Sequence, residues 1–154
     1  MTVKGKPLEI LLVEDNDDHA EIVKRSLRAH QVANNLHVVA DGQAALDYLL
    51  GRGEYRDRKT SPSPDVILLD LALPKVDGWE VLKEIKQTDK LLRIPVVVLT
   101  SSEDERDVAK AYDCHANSYL VKPVDFNKFT DLMRDLGFYW LGWNVNPFIQ
   151  GGEG

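Results

Sequence analysis

The chain has 154 residues, enough for one domain around one well-buried core. Its 44% hydrophobic and 29% charged residues are those of an ordinary globular protein, and a formal net charge of −6 argues against non-specific nucleic-acid or anionic-membrane binding. No apolar run approaches the roughly 20 residues of a membrane helix, and Met1 to Pro7 lacks the apolar segment of a secretory signal. The single cysteine, Cys114, cannot close an internal disulfide, which points to a reducing cytoplasm, and one Cys with four scattered His gives no structural zinc set.

Short apolar runs alternate five times with helical patterns. The first run, Leu8 to Val13, is closed by Glu14 and Asp15. A helix follows with Asn16 as N-cap, Asp17 and Asp18 in its first turn, and Ile22, Val23 and Leu27 on its apolar face. The second strand is Leu36 to Val39; Asp41 caps a helix carrying Ala44, Ala45, Tyr48 and Leu49, and Gly51 and Gly53 stop it. Residues 52 to 64 are polar and read as a long loop.

The third strand runs from Val66 to Leu69 and ends at Asp70. Asp77 with Glu80 reads as a capping box for a helix carrying Val81, Leu82 and Ile85. The fourth strand, Val96 to Leu99, ends at Thr100, and Ser102 with Glu105 opens a helix through Val108, Ala109 and Tyr112. The fifth, Ser118 to Val121, ends at Lys122-Pro123. Asp125 caps the last helix, with Phe129, Leu132, Met133 and Leu136 inward and Gly137 at its end. The domain is therefore expected over 8–137, with a short tail at 1–7 and an extension at 138–154.

Strands 1, 3 and 4 are nearly continuous apolar runs, the mark of a parallel sheet covered on both faces. Five such units imply an α/β fold with an open, doubly wound five-stranded sheet in the order 2-1-3-4-5, because a closed eight-unit barrel needs more chain. In such sheets the site lies beyond the carboxyl ends of the strands, where strands 1 and 3 are neighbours. Glu14, Asp15 and Asp70 would converge there with the Thr100 hydroxyl and the Lys122 ammonium. Three adjacent carboxylates stay ionised only around a cation, and all-oxygen ligation favours Mg²⁺ or a similar hard ion. An aspartate beside such an ion can act as a nucleophile toward phosphorus, while Lys122, Thr100 and the metal spread the charge on the phosphoryl oxygens.

Val13-Glu14-Asp15-Asn16, Leu69-Asp70-Leu71-Ala72-Leu73-Pro74-Lys75 with Asp77-Gly78, Thr100-Ser101 and Lys122-Pro123 occur in this order, each at a strand end. In this the chain resembles the receiver domain of two-component response regulators over about residues 8 to 137. The resemblance implies a flavodoxin-like fold and a phosphoacceptor role for Asp70. It implies that Mg²⁺ (with Mn²⁺ or Ca²⁺ as substitutes) is held by Asp15 and Asp70 directly, by Glu14 through water and by the Ala72 backbone carbonyl. Thr100 and Lys122 would contact the phosphoryl group, and the peptide before Pro123 would be cis. Thr100 and Tyr119 would form the switch: Thr100 moves to the phosphoryl group and Tyr119 fills the space, reshaping the face at about 102 to 137.

After Gly137 the chain continues through Phe138, Tyr139, Trp140 and Trp143, too aromatic for a free tail. With the long loop before strand 3, this resembles the single-domain regulators that serve cyanobacterial and bacterial phytochromes, and it implies a sensor histidine kinase partner and a homodimer. Taken singly, each site residue also has a plainer reading: Glu14-Asp15 as an acidic capping turn, Thr100 as an N-cap, Lys122 as a solvated lysine, Tyr119 as sheet packing. His19, His30, His37 and His115 show no ligand spacing and read as surface or boundary residues.

Other functions fit less well. A binding module without phosphotransfer would not need the intact acidic set. An Asp-nucleophile phosphatase needs an acid two residues after its nucleophile, where Ala72 stands. A flavin mononucleotide site needs a Ser/Thr/Gly-rich loop where Glu14 to Asp18 would repel phosphate. Receivers often carry a polar residue, commonly Asn, two positions after the phosphoacceptor, so the small Ala72, with Ser102, is expected to leave water a path to a phosphoryl group on Asp70. Ala72→Asn is therefore expected to slow the decay of phosphorylated protein; faster decay in the variant would count against this.

Overall fold

Strands β1 (Leu8–Val13), β3 (Val66–Asp70) and β4 (Val96–Thr100) are buried at nearly every position, as runs without polar alternation must be. The computed structural model describes residues 7–29, 34–71, 73, 76–100, 116, 118–122 and 125–135. The expected helix from Ser102, Cys114, Ala72, Pro123 and the extension with Phe138, Tyr139, Trp140 and Trp143 lie outside the described residues, as do His30 and His115.

The sheet has the order β2-β1-β3-β4-β5, with β2 (Asn34–Val39) and β5 (Ser118–Val121) at its edges. All four pairings are parallel, so every carboxyl end points to the same edge of the sheet. The registers bring those ends level: Val13 pairs with Leu69, Asp70 with Leu99, and Thr100 with Val121. β2 starts two residues before its apolar pattern, because Asn34 and Asn35 pair with Leu8 and Glu9. An edge strand tolerates such residues, and Asn35 Nδ2 donates to Glu9 Oε2 at 2.8 Å.

Side-chain alternation splits the core into two layers. Leu11, Val13, Ile67, Leu69, Val96 and Val98 meet helices α2 (Gly42–Leu50) and α3 (Gly78–Gln87). Leu8, Ile10, Leu12, Val66, Leu68, Val97 and Leu99 meet α1 (Asp17–Ala29) and the C-terminal helix α4 (Phe126–Asp135), through Ala20, Val23, Leu27, Phe129 and Met133. Phe129 is fully buried, a contribution of about 1.5–3 kcal/mol. The inward face of α1 is Ala20, Val23 and Leu27, whereas Ile22, expected on it, is 44% exposed. The 3.6-residue repeat fits the set 20-23-27 and leaves position 22 outside it. Among the described residues no helix is long and apolar enough to cross a membrane.

The caps are local and follow the sequence. Asp41 Oδ1 accepts from Ala44 N at 2.7 Å, Asp77 Oδ1 from Glu80 N at 3.0 Å, and Asp125 Oδ1 from Asn127 N at 2.9 Å. Gly51 ends α2 in the left-handed region at φ 66°. The segment after it is more ordered than a polar loop. It contains a 3₁₀ turn at Gly53–Tyr55, and Arg58 folds back to donate to Tyr48 O (2.8 Å), Leu49 O (2.8 Å) and Ser61 O (2.9 Å). A cation thus sits at the carbonyl end of α2, adding to the bond that Gly51 N gives Tyr48 O and pairing Leu49 O.

Gly78 sets α3 against the end of β3. A Cβ there would lie 2.5 Å from Asp70 O and 2.6 Å from Leu71 Cα, both backbone atoms that cannot swing aside. Gly78→Ala is expected to destabilise the fold by about 1–3 kcal/mol, read as a lower urea midpoint; an unchanged midpoint would mean that the β3–α3 turn can give way.

Candidate functional site

The turn after β1 is built to send one carboxylate inward and its neighbour outward. Glu14 N donates to Val39 O at 3.0 Å, so pairing continues one residue past the strand and the Glu14 side chain is enclosed, with the residue only 2% exposed. Asp15 is exposed. Asn16 N donates to Glu14 Oε2 at 3.2 Å, while Asn16 Oδ1 accepts from Asp18 N (2.9 Å) and His19 N (3.1 Å). Asn16 therefore caps α1 and braces Glu14 at once. Asp70 and Thr100, the last residues of β3 and β4, are also buried. Lys122 N donates to Thr100 O at 2.7 Å, which carries the β4–β5 pairing to the lysine itself.

These backbone positions gather charge from distant parts of the chain. Glu14, Asp15 and Asp70 each offer an oxygen, all within 4.8 Å of one another. Lys122 Nζ stands 2.7 Å from Glu14 Oε1 and 3.1 Å from Asp70 Oδ2. Burial raises the Glu14 pKa above 4.5; the Asp70 charge adds to the rise and Lys122 opposes it. For Lys122, burial acts to lower the pKa, but its close contacts with Glu14 and Asp70 and their charges outweigh that and raise it above 10.5.

One ammonium does not complete the site. Glu14 Oε1 is buried and takes no well-directed hydrogen bond, since the Lys122 ammonium approaches it off the bonding direction. An under-bonded buried oxygen in an all-carboxylate cluster is what a hard divalent cation would satisfy. Glu14, Asp15 and Asp70 thus fit such an ion, and they form the one three-carboxylate cluster found among the described residues.

Thr100 and Tyr119 lie on adjacent strands. Tyr119 pairs with Val98 and Thr100 with Val121, two steps along, so both side chains are on one sheet face. Tyr119 is half-buried against the core layer under α2 and α3. His19, read from sequence as a surface or boundary residue, is partly exposed but has its Nδ1 3.2 Å from Lys122 Nζ. Its one sequence signal is its place in the first turn of a helix that starts at the site.

The family profile of the response regulator receiver domain matches residues 10–134. The chain is 46% identical over 142 residues to the probable methanogenesis regulatory protein FilR2 of Methanothrix harundinacea, covering 92% of this chain and 88% of FilR2. It is 44% identical over 135 residues to response regulator Rcp1 of Synechocystis, covering 88% and 90%. Among solved structures, the bacteriophytochrome response regulator AtBRR superposes with a TM-score of 0.79 at 46% identity, covering 91% of this chain and 99% of AtBRR. The Mn²⁺-bound form of Rcp1 gives 0.70 at 43%, covering 91% and 98%. The phosphorylated cyanobacterial phytochrome response regulator RcpA gives 0.71 at 40%, covering 87% and 94%.

Removing the Lys122 ammonium would leave buried Glu14 without its cation. Without divalent ions at neutral pH, Lys122→Ala is expected to destabilise the fold by about 3 kcal/mol, the low end for a broken buried pair because Asp15 keeps one side wet. Glu14 has a raised pKa in the fold, so its protonated form is favoured there. The penalty should therefore shrink as pH falls through the carboxylate range and Glu14 takes a proton. Urea denaturation in a chelator at several pH values measures this; a penalty independent of pH would contradict it.

Proposed function

The chain belongs to the response regulator receiver domain family, and from that premise we propose that it is a single-domain switch, phosphorylated on Asp70 by a sensor histidine kinase. The observation that carries this reading is the meeting of Asp70 with Glu14, Asp15 and Lys122 at one edge of the sheet. A carboxylate oxygen of Asp70 attacks the phosphorus of a phosphohistidine. The P–N bond breaks, its electron pair leaves with the imidazole nitrogen, and Asp70 becomes an acyl phosphate.

Glu14, Asp15, Asp70 and the Ala72 carbonyl would hold Mg²⁺, for which Mn²⁺ or Ca²⁺ could substitute; the Mn²⁺-bound form of Rcp1 supports a divalent ion here. Such an ion supplies positive charge to the phosphoryl oxygens. Lys122 donates to one of those oxygens, and the Thr100 hydroxyl donates to another. Thr100 shifts to make that bond, Tyr119 follows into the space, and the surface at about 102 to 137 changes shape. The phosphorylated form of RcpA supports a phosphoryl switch in this set of relatives.

The partner is a phytochrome-type histidine kinase, a reading supported by the similarity to AtBRR and RcpA. FilR2 favours a second reading, a kinase answering to a different signal, since its similarity is as high. Output passes through protein contact in the cytoplasm. The protein works as a homodimer that uses the 102–137 face and the 138–154 extension.

Acetyl phosphate with Mg²⁺ tests the chemistry. The expected result is a mass gain of one phosphoryl group, abolished by Asp70→Asn and by a chelator, with Asp15→Asn needing at least about tenfold more Mg²⁺. No gain in wild type, or a gain that survives Asp70→Asn, would overturn the reading. Release of free phosphate at enzymatic rates would favour a phosphatase instead.

A further inference from the structure

We propose that His19 is a positioning residue that holds the Lys122 ammonium over Asp70 through a hydrogen bond accepted by its imidazole Nδ1. This rests on the phosphoacceptor reading given above. An ammonium has three donors and no acceptor capacity, so its aim is set by the acceptors around it. Two well-directed bonds are present: to Asp70 Oδ2 at 3.1 Å and to His19 Nδ1 at 3.2 Å. The contact with Glu14 Oε1, though shorter at 2.7 Å, is an ion pair lying off the bonding direction. His19 is thus the one acceptor beside the carboxylates, among the described residues, that helps to fix the ammonium.

Lys122 can only donate, so in this bond Nδ1 is the acceptor. A bond from a protonated Nδ1 to Glu14 is not the alternative, because Glu14 Oε2 is 3.7 Å away, too far for a hydrogen bond. His19 N donates to Asn16 Oδ1 at 3.1 Å, so the cap of α1 anchors the backbone of the residue at the rim.

Lysine has a long flexible stem, and an acceptor at its tip removes freedom that would otherwise be lost during transfer. The sequence separation of 103 between His19 and Lys122 explains why no local pattern shows the pair.

Two measurements test the assignment. In protein labelled with ¹⁵N-histidine, His19 is expected as the Nε2-protonated tautomer with an unprotonated, hydrogen-bonded Nδ1. Lys122→Ala should move the Nδ1 resonance to that of an imidazole nitrogen without this bond. A purely structural His19 would not respond in this way. In the acetyl phosphate assay, His19→Ala is expected to slow phosphorylation of Asp70 about two- to tenfold, as for the loss of one hydrogen bond. His19→Asn, whose Oδ1 stands near the place of Nδ1, should recover most of the rate, and His19→Leu should not.

An Nδ1 resonance indifferent to Lys122→Ala, a wild-type rate in His19→Ala, or equal rates in the Asn and Leu variants would each overturn the assignment. If Asp70→Asn still abolishes the mass gain in those cases, the phosphoacceptor reading stands and only the role of His19 falls. If wild type gains no phosphoryl group, both fall.

Discussion

The Lys122 ammonium, set between Glu14 Oε1 and Asp70 Oδ2, is the contact on which the site depends. Two unit charges about 4 Å apart near a protein surface interact with about 4 kcal/mol. The carboxylates at the ends of β1 and β3 would drive those ends apart if nothing opposed them. One ammonium against three carboxylates leaves a net negative charge, and it leaves Glu14 Oε1 under-bonded. The same shortage of positive charge is what a small, hard cation would offset. It also makes the cluster sensitive to any new charge on Asp70, because Lys122 must then divide its donors differently.

The fold meets this constraint by making the strands that carry the site immobile. β1, β3 and β4 are packed on both faces, so Glu14, Asp70 and Thr100 stand on supports that cannot drift apart without opening the core. Parallel pairing with level registers puts all their carboxyl ends on one edge. Small local devices finish the task. Gly78 lets α3 begin directly against Asp70 O, and Asn16 ties Glu14 to the first turn of α1. Farther away, Arg58 ties two carbonyls at the end of α2 to Ser61 O, which holds the long segment before β3 in a defined shape.

Much of this was legible before folding was considered. The unbroken apolar runs announced buried parallel strands, and β1 occupies the residues that its run marked. Asn16, Asp41, Asp77 and Asp125 announced helix starts because a cap is a bond over two or three residues, read directly from neighbours in the chain. The polar residues at each strand end announced a site, since a doubly wound sheet delivers those ends to one place.

What the linear pattern could not contain is which way neighbouring residues face and which distant groups touch. Ile22 looks like a core residue by type, yet the phase of α1 turns it outward and uses Ala20 instead. Arg58 and His19 look like surface residues, yet each finds its partners through the path of the folded chain. Composition and periodicity alone determined an α/β protein with acidic, hydroxyl and amine groups at its strand ends. The tertiary structure alone decided that Glu14 is enclosed while Asp15 is exposed, and that Lys122 meets Glu14, Asp70 and His19. The physical reason is range: caps and strand runs are set by contacts over a few residues, whereas those pairings exist only once the sheet has closed the distance.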